Sequence, residues 1–304
     1  MSLTYELLKA LARISGFKDR IFAGNPEDIV ARARQRNDRN TIPELGDPEI
    51  EMGRITVDGC PVLTMTHTPR AKRATLFLIG GGMILSPSPS MIRKALKIAK
   101  ETGLDLVVPY YPLCTEFPLT RAYAMILHTY EEMLLQYAPQ NISFMGTSSG
   151  ANLALGMIPY LNALKSELPR PGMILSISPS SCLNSAAEWK RMIELDKKDV
   201  LIPMQYMKDV EGILRHGEAS VPEYMLRLQT GDFTGCPRVV FMYGSSECLY
   251  AFAPSFEAAM KRSHVAYTMI VGEDMFHCYP LYPLCPEAKA GWNQMITILK
   301  GKWQ

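Results

Sequence analysis

Hydrophobic positions along the chain follow two rhythms. Short, mostly apolar runs at residues 74–79, 104–109, 141–145, 173–177, 238–243 and 267–271 read as buried strands. Residues 119–137, 149–165, 254–262 and 286–299 have helical period. Two strand-like runs, 51–57 and 61–67, come earlier. Ahead of them, residues 3–14 read as an amphipathic helix ending at Gly16, and a charged helix starts with Asn25 as N-cap and Pro26 at its first position. Unbroken strands alternating with helices predict an α/β fold: a mostly parallel central sheet with helices on both faces.

One stretch breaks the alternation. Between Cys182 and Phe233 no strand is evident and helical patterns dominate. Residues 183–233 are therefore expected as a helical insertion, either a lid over a pocket or an extra packing layer, on a single domain spanning 1–304. Composition narrows the class further. With 47% hydrophobic residues and a formal charge of +2 from 32 Lys+Arg and 30 Asp+Glu, disorder is excluded and the electrostatic case for a nucleic-acid partner is removed. No apolar run is long enough to span a membrane. Glu6, Lys9 and Arg13 interrupt the first apolar stretch, unlike a secretory signal. Seven cysteines without a C-x-x-C pair argue against a disulfide framework or structural zinc and point to the cytoplasm.

Candidate chemistry begins at Gly146-Thr147-Ser148-Ser149-Gly150, between a strand and a helix. A tight strand-to-helix turn needs small flanking residues, because the two elements approach closely, and it lifts its central serine clear of the sheet. The triplet Gly80-Gly81-Gly82 directly follows the strand at 74–79. Three residues without Cβ atoms can turn backbone N–H groups toward one point, as an acyl-transfer oxyanion requires. A phosphate loop fits worse, since no Gly-Lys-Ser/Thr follows and G-x-G-x-x-G fails at Leu85.

A serine nucleophile needs a base. Of the five histidines, His277 lies in a loop beyond a late strand, where α/β enzymes gather catalytic groups. The base in turn needs a carboxylate. Glu247 follows the strand at 238–243 and stands between Ser148 and His277 in the chain, the α/β-hydrolase order. Asp274 would have to fold back across its own loop, and Asp232 precedes its strand.

So assembled, the sequence resembles the hormone-sensitive-lipase-like branch of the α/β-hydrolases, which includes many microbial esterases. The family's His-Gly-Gly-Gly stands here as Ile79-Gly80-Gly81-Gly82, and its tyrosine-led segment as Tyr111-Pro112 with Glu116 and Pro118 downstream. Its nucleophile motif is the Ser148 pentapeptide; its acid and histidine loops are 247–249 and Phe276-His277. The resemblance covers roughly residues 73–282. It implies an α/β-hydrolase fold, oxyanion-hole N–H groups from Gly81, Gly82 and Ser149, and a cap built from the N-terminal helices (1–45) and the insertion. Three departures stand out: Ile79 replaces the histidine that helps order the glycine loop, Ser149 stands where alanine is common, and Glu247 replaces the more usual aspartate.

The expected activity is hydrolysis of short-to-medium acyl esters through a Ser148–His277–Glu247 triad and an acyl-enzyme, with no cofactor and no metal. The expected partner is a small-molecule ester, with no nucleic acid and no membrane span; a homodimer is compatible. A peptidase or amidase using the same triad, and a ligand-binding protein on a hydrolase scaffold, are the alternatives. An intact Ser, acid and His set counts against the second.

Overall fold

The chain opens with two capped helices. In α1 (Leu3–Ile14) the side-chain oxygen of Ser2 accepts from the Tyr5 N–H; in α2 (Pro26–Asp38) Asn25 caps the Asp28 N–H in the same way. This structure, a computed structural model, describes residues 1–304 except 17, 19–21, 23 and 304.

Eight strands follow: β1 (Ile50–Val57), β2 (Cys60–His67), β3 (Ala74–Leu78), β4 (Asp105–Pro109), β5 (Ile142–Thr147), β6 (Met173–Ile177), β7 (Val239–Gly244) and β8 (Tyr267–Gly272). They form one sheet in the order β1-β2-β4-β3-β5-β6-β7-β8. The β1–β2 and β2–β4 pairs are antiparallel and every other pair is parallel. Strands β3 to β7 are buried along their whole length, which is why they read as mostly apolar runs.

Helices cover both faces. α3 (Pro89–Thr102), α4 (Leu119–Leu134), α5 (Ser149–Ala163), α6 (Ala186–Asp196), α7 (Met204–Arg215), α8 (Glu223–Leu226), α9 (Ala253–Arg262) and α10 (Pro286–Lys300) complete the chain. Alternate residues of one strand separate the two cores. Leu76 and Leu78 join a core with α4, α5 and α9, whereas Phe77 and Ile79 join one with α3 and α10. Helix α3 is signalled locally by Ser88 at its N-cap, Pro89 in its first turn and Gly103 in left-handed conformation after its end. The segment 183–233 holds α6, α7 and α8. Among the described residues no helix is long and apolar enough to cross a membrane.

The strand order turns around between β3 and β5: from β3 the chain moves outward to β4, and from β5 it runs the other way to β8. At such a switch point the connections after the two strands diverge and leave a crevice at their C-terminal ends. The glycine triplet follows β3 there, and Ser148 follows β5.

Candidate active site

Ser148 occupies the turn between β5 and α5 with φ +53° and ψ −128°, strained for a residue with a Cβ. Its N–H is tied to the Ile177 carbonyl at the end of β6, 2.8 Å away. The flanking glycines are steric requirements. A Cβ on Gly146 would lie 2.2 Å from the Gly150 carbonyl oxygen, and one on Gly150 would lie 2.0 Å from that of Leu78. The pattern thus buys close packing of β3, β5 and α5 while leaving Ser148 half-exposed to the crevice.

The glycine loop is fastened from several sides. Gly80 donates its N–H to Thr147 Oγ1 at 3.0 Å, and Tyr111 donates its hydroxyl to the Ile79 carbonyl. Tyr206 on α7 donates to the Gly82 carbonyl. Ser149 Oγ accepts from both Gly81 N–H and Met83 N–H, each at 3.1 Å. The Gly81 N–H, expected to face an oxyanion, is therefore engaged by Ser149. Among the described residues the N–H groups of Gly82 and Ser149 make no internal hydrogen bond, and Ser149 begins α5, where the helix dipole adds positive potential.

Glu247 and His277 meet directly. His277 Nδ1 bonds Glu247 Oε2, while Glu247 Oε1 accepts from Ser178 Oγ at 2.8 Å and from the Gly244 N–H at 2.9 Å. Glu247 is fully buried and His277 nearly so. Asp274 takes no part in this pair; its carbonyl accepts from the Tyr5 hydroxyl. His277 Nε2 lies 3.5 Å from Cys278 Sγ, and no hydrogen bond joins it to Ser148, although both line one cavity. Catalytic contacts of this kind tighten when substrate is bound.

Two residues that the sequence pattern did not single out position this pair. Ser178, at φ +52° just after β6, donates to Glu247 and accepts from the Cys278 N–H at 3.0 Å, clamping the acid and base loops together. Asp199, buried in the insertion, accepts from the Cys248 N–H at 2.7 Å, next to Glu247 in the chain. Ser178-Pro179 marks a turn in the sequence but not what the serine touches.

Burial is the largest influence on Glu247 and raises its pKa above the ordinary carboxyl range, against the pull of His277, Ser178 and Gly244. Burial is also the largest influence on His277, where it acts downward. Cys278 and Glu247 together outweigh it and hold the imidazole well above its usual value.

The cavity measures about 850 Å³, within the range of small-molecule sites. Toward α4, α7 and α8 its wall is apolar, with Leu119, Tyr123, Met207, Val210, Leu214 and Met225. Toward α2, α3 and the loop after His277 it carries Arg36, Arg39, Ser88 and Tyr282. Helix α1 contributes Tyr5, Leu8 and Leu11.

Comparison with known proteins agrees with this architecture. The chain is 25% identical over 241 residues to an acetyl-hydrolase of Streptomyces hygroscopicus, covering 77% of this chain and 78% of that one. It is 26% identical over 255 residues to an esterase of Acinetobacter venetianus, covering 80% of each. The fold superposes on the crystal structure of an esterase from the bacterial hormone-sensitive lipase family with a TM-score of 0.81 at 19% identity, over 100% of this chain and 99% of that one. The family model described as alpha/beta hydrolase fold matches residues 75–281, well over half of the sequence and the part that holds the elbow, the glycine loop and the Glu247–His277 pair, and the chain belongs to that family.

Proposed function

We propose that the chain is a serine carboxylesterase acting on short-to-medium acyl esters. The observation that carries this reading is the convergence of a half-exposed serine on a strained elbow, a buried His–Glu pair and unengaged backbone donors on one largely apolar cavity. Relatives described as acetyl-hydrolase and esterase support it.

Neutral His277 takes the proton of Ser148 as its oxygen attacks the ester carbonyl, and Glu247 orients the ring and stabilises the imidazolium. The Gly82 and Ser149 N–H groups receive the oxyanion, joined by Gly81 where its N–H is shared with the Ser149 hydroxyl. Each such donor is worth about 10²–10³ in kcat. His277 then protonates the leaving alcohol and activates the water that releases the acyl-enzyme. The apolar wall toward α4 and α7 takes the acyl chain. In this reading the N-terminal helices (1–45) and the 183–233 insertion act as the cap, since both supply cavity lining. Seven free cysteines suit a reducing cytoplasm.

The test is hydrolysis of p-nitrophenyl acetate, butyrate, octanoate and laurate by the parent protein and by Ser148→Ala. Turnover by the parent that falls at least about 10³-fold in the variant is expected. A folded parent that hydrolyses none of them would overturn the proposal.

A further inference from the structure

The cavity wall is electrically one-sided. Among its described lining residues are Lys9, Arg36 and Arg39, and no aspartate or glutamate. Lys9 is paired with Glu6, but Arg36 and Arg39 have no carboxylate partner among the described residues. They stand at the C-terminal end of α2, on the part of the lining that also carries Ser88 and Tyr282.

A third cation reinforces this wing from behind. Lys94, on α3, is half-buried, with its ammonium 4.0 Å from the centre of the Tyr282 ring and 3.9 Å from Met91 Sδ. Both of those side chains line the cavity. A half-buried ammonium is costly without a counter-charge, and here burial lowers its pKa with no carboxylate to offset the effect. A ring face compensates an ammonium only in part. Arg36 also acts electrostatically on the Tyr282 phenol, so both cations bear on this residue. Arg36 and Arg39 are themselves exposed, at the rim of the cavity, and a rim of one sign favours an anionic occupant and disfavours a cationic one.

We propose that this wing recognises a carboxylate or phosphate group on the alcohol part of the ester, with Arg36 and Arg39 as the recognising cations and Lys94 adding positive charge behind the Tyr282 ring. The proposal rests on the esterase reading, which puts the acyl chain on the apolar lining from α4 and α7 and leaves these residues to the leaving alcohol.

The experiment compares two esters with the same acyl group, 3-(butyryloxy)benzoate and its neutral methyl ester, in the parent and in the Lys94→Met and Arg36→Gln/Arg39→Gln variants. The parent is expected to favour the carboxylate ester at least fivefold in kcat/KM, with the preference shrinking as salt is raised. In the variants the ratio is expected to fall toward one. As a readout that does not need turnover, 3-hydroxybenzoate is expected to bind the parent more tightly than 3-hydroxybenzamide in calorimetric titration, and the variants to lose that difference. Turnover of both esters with no preference for the anion, or a preference that survives in both folded variants, would overturn the anion site and leave the esterase reading intact. Failure of the parent on both esters, together with failure of Ser148 to react with a fluorophosphonate, would overturn the esterase reading itself, and the anion site with it.

Discussion

The hydroxyl of Ser149 holds the Gly81 amide at 3.1 Å, and with the same oxygen it holds Met83. The family pattern orders this loop with a histidine at position 79 and usually has alanine at 149. Here Ile79 is buried in the core beneath α3, and the serine supplies the polar anchor instead. The two departures from the pattern are thus physically complementary. Ser149→Ala is expected to lower kcat for p-nitrophenyl butyrate about tenfold with little change in KM. Losing one or two hydrogen bonds of roughly 0.5–1.5 kcal/mol each loosens donors that act on the oxyanion more than on the ground state. An unchanged kcat would mean that Thr147 and Tyr111 suffice to hold the loop.

Ser178 makes its contribution from an unfavourable backbone conformation, φ +52°. Replacing it with alanine removes its bonds to Glu247 and Cys278 but keeps the strain; replacing it with glycine removes the same bonds and relieves the strain. Denaturant titration is expected to place Ser178→Ala about 2 kcal/mol below the parent and Ser178→Gly about 1 kcal/mol above the alanine variant. Both variants are expected to lose activity to a similar extent, because both lose the bonds that clamp the Glu247 and His277 loops together. Equal stability of the two would refute the role given to the backbone.

How much of this was legible before any coordinates depends on the range of the interaction concerned. The strands and the Gly146–Gly150 turn are set by local patterns, and their positions could be read because burial on both faces leaves the runs mostly apolar. Ser148, Glu247 and His277 could be ordered along the chain because each follows a strand, and strand ends meet at a crevice. The engagement of Gly81 by Ser149 could not be read, since it depends on where a hydroxyl points across a gap of 68 residues. Ser178 and Asp199 were missed for the same reason: their partners lie 69 and 49 residues away, and neither sits in a motif.

Asp199 links the insertion to the acid loop. One oxygen accepts from Leu201 and Ile202 N–H and the other from Cys248 N–H, at 2.7–3.0 Å. An asparagine has only one acceptor oxygen, so its amide nitrogen would confront an N–H on one side or the other. Asp199→Asn is expected to destabilise the fold by about 2 kcal/mol and to reduce kcat by shifting Glu247, with thermal unfolding and steady-state kinetics as the readouts. A variant with lower stability but full kcat would confine Asp199 to a structural role.

The pH dependence follows from the two raised pKa values. Only neutral imidazole can take the Ser148 proton, so kcat/KM is expected to climb with pH, with its half-point above the ordinary histidine value of about 6.5. Cys278 is the largest of the influences that raise this pKa, so Cys278→Ala is expected to move the half-point down. Stability runs the other way. His277 and Glu247 both bind their protons more tightly in the folded chain, so each contributes stability below its unfolded pKa and loses it as pH rises through its folded one. Comparing the unfolding free energy of the parent with that of His277→Asn across pH 5 to about 9 is expected to show the parent's advantage shrinking over the interval in which its activity grows. An advantage that grows with pH would mean that the folded site depresses the His277 pKa, and that burial prevails over the charges around it.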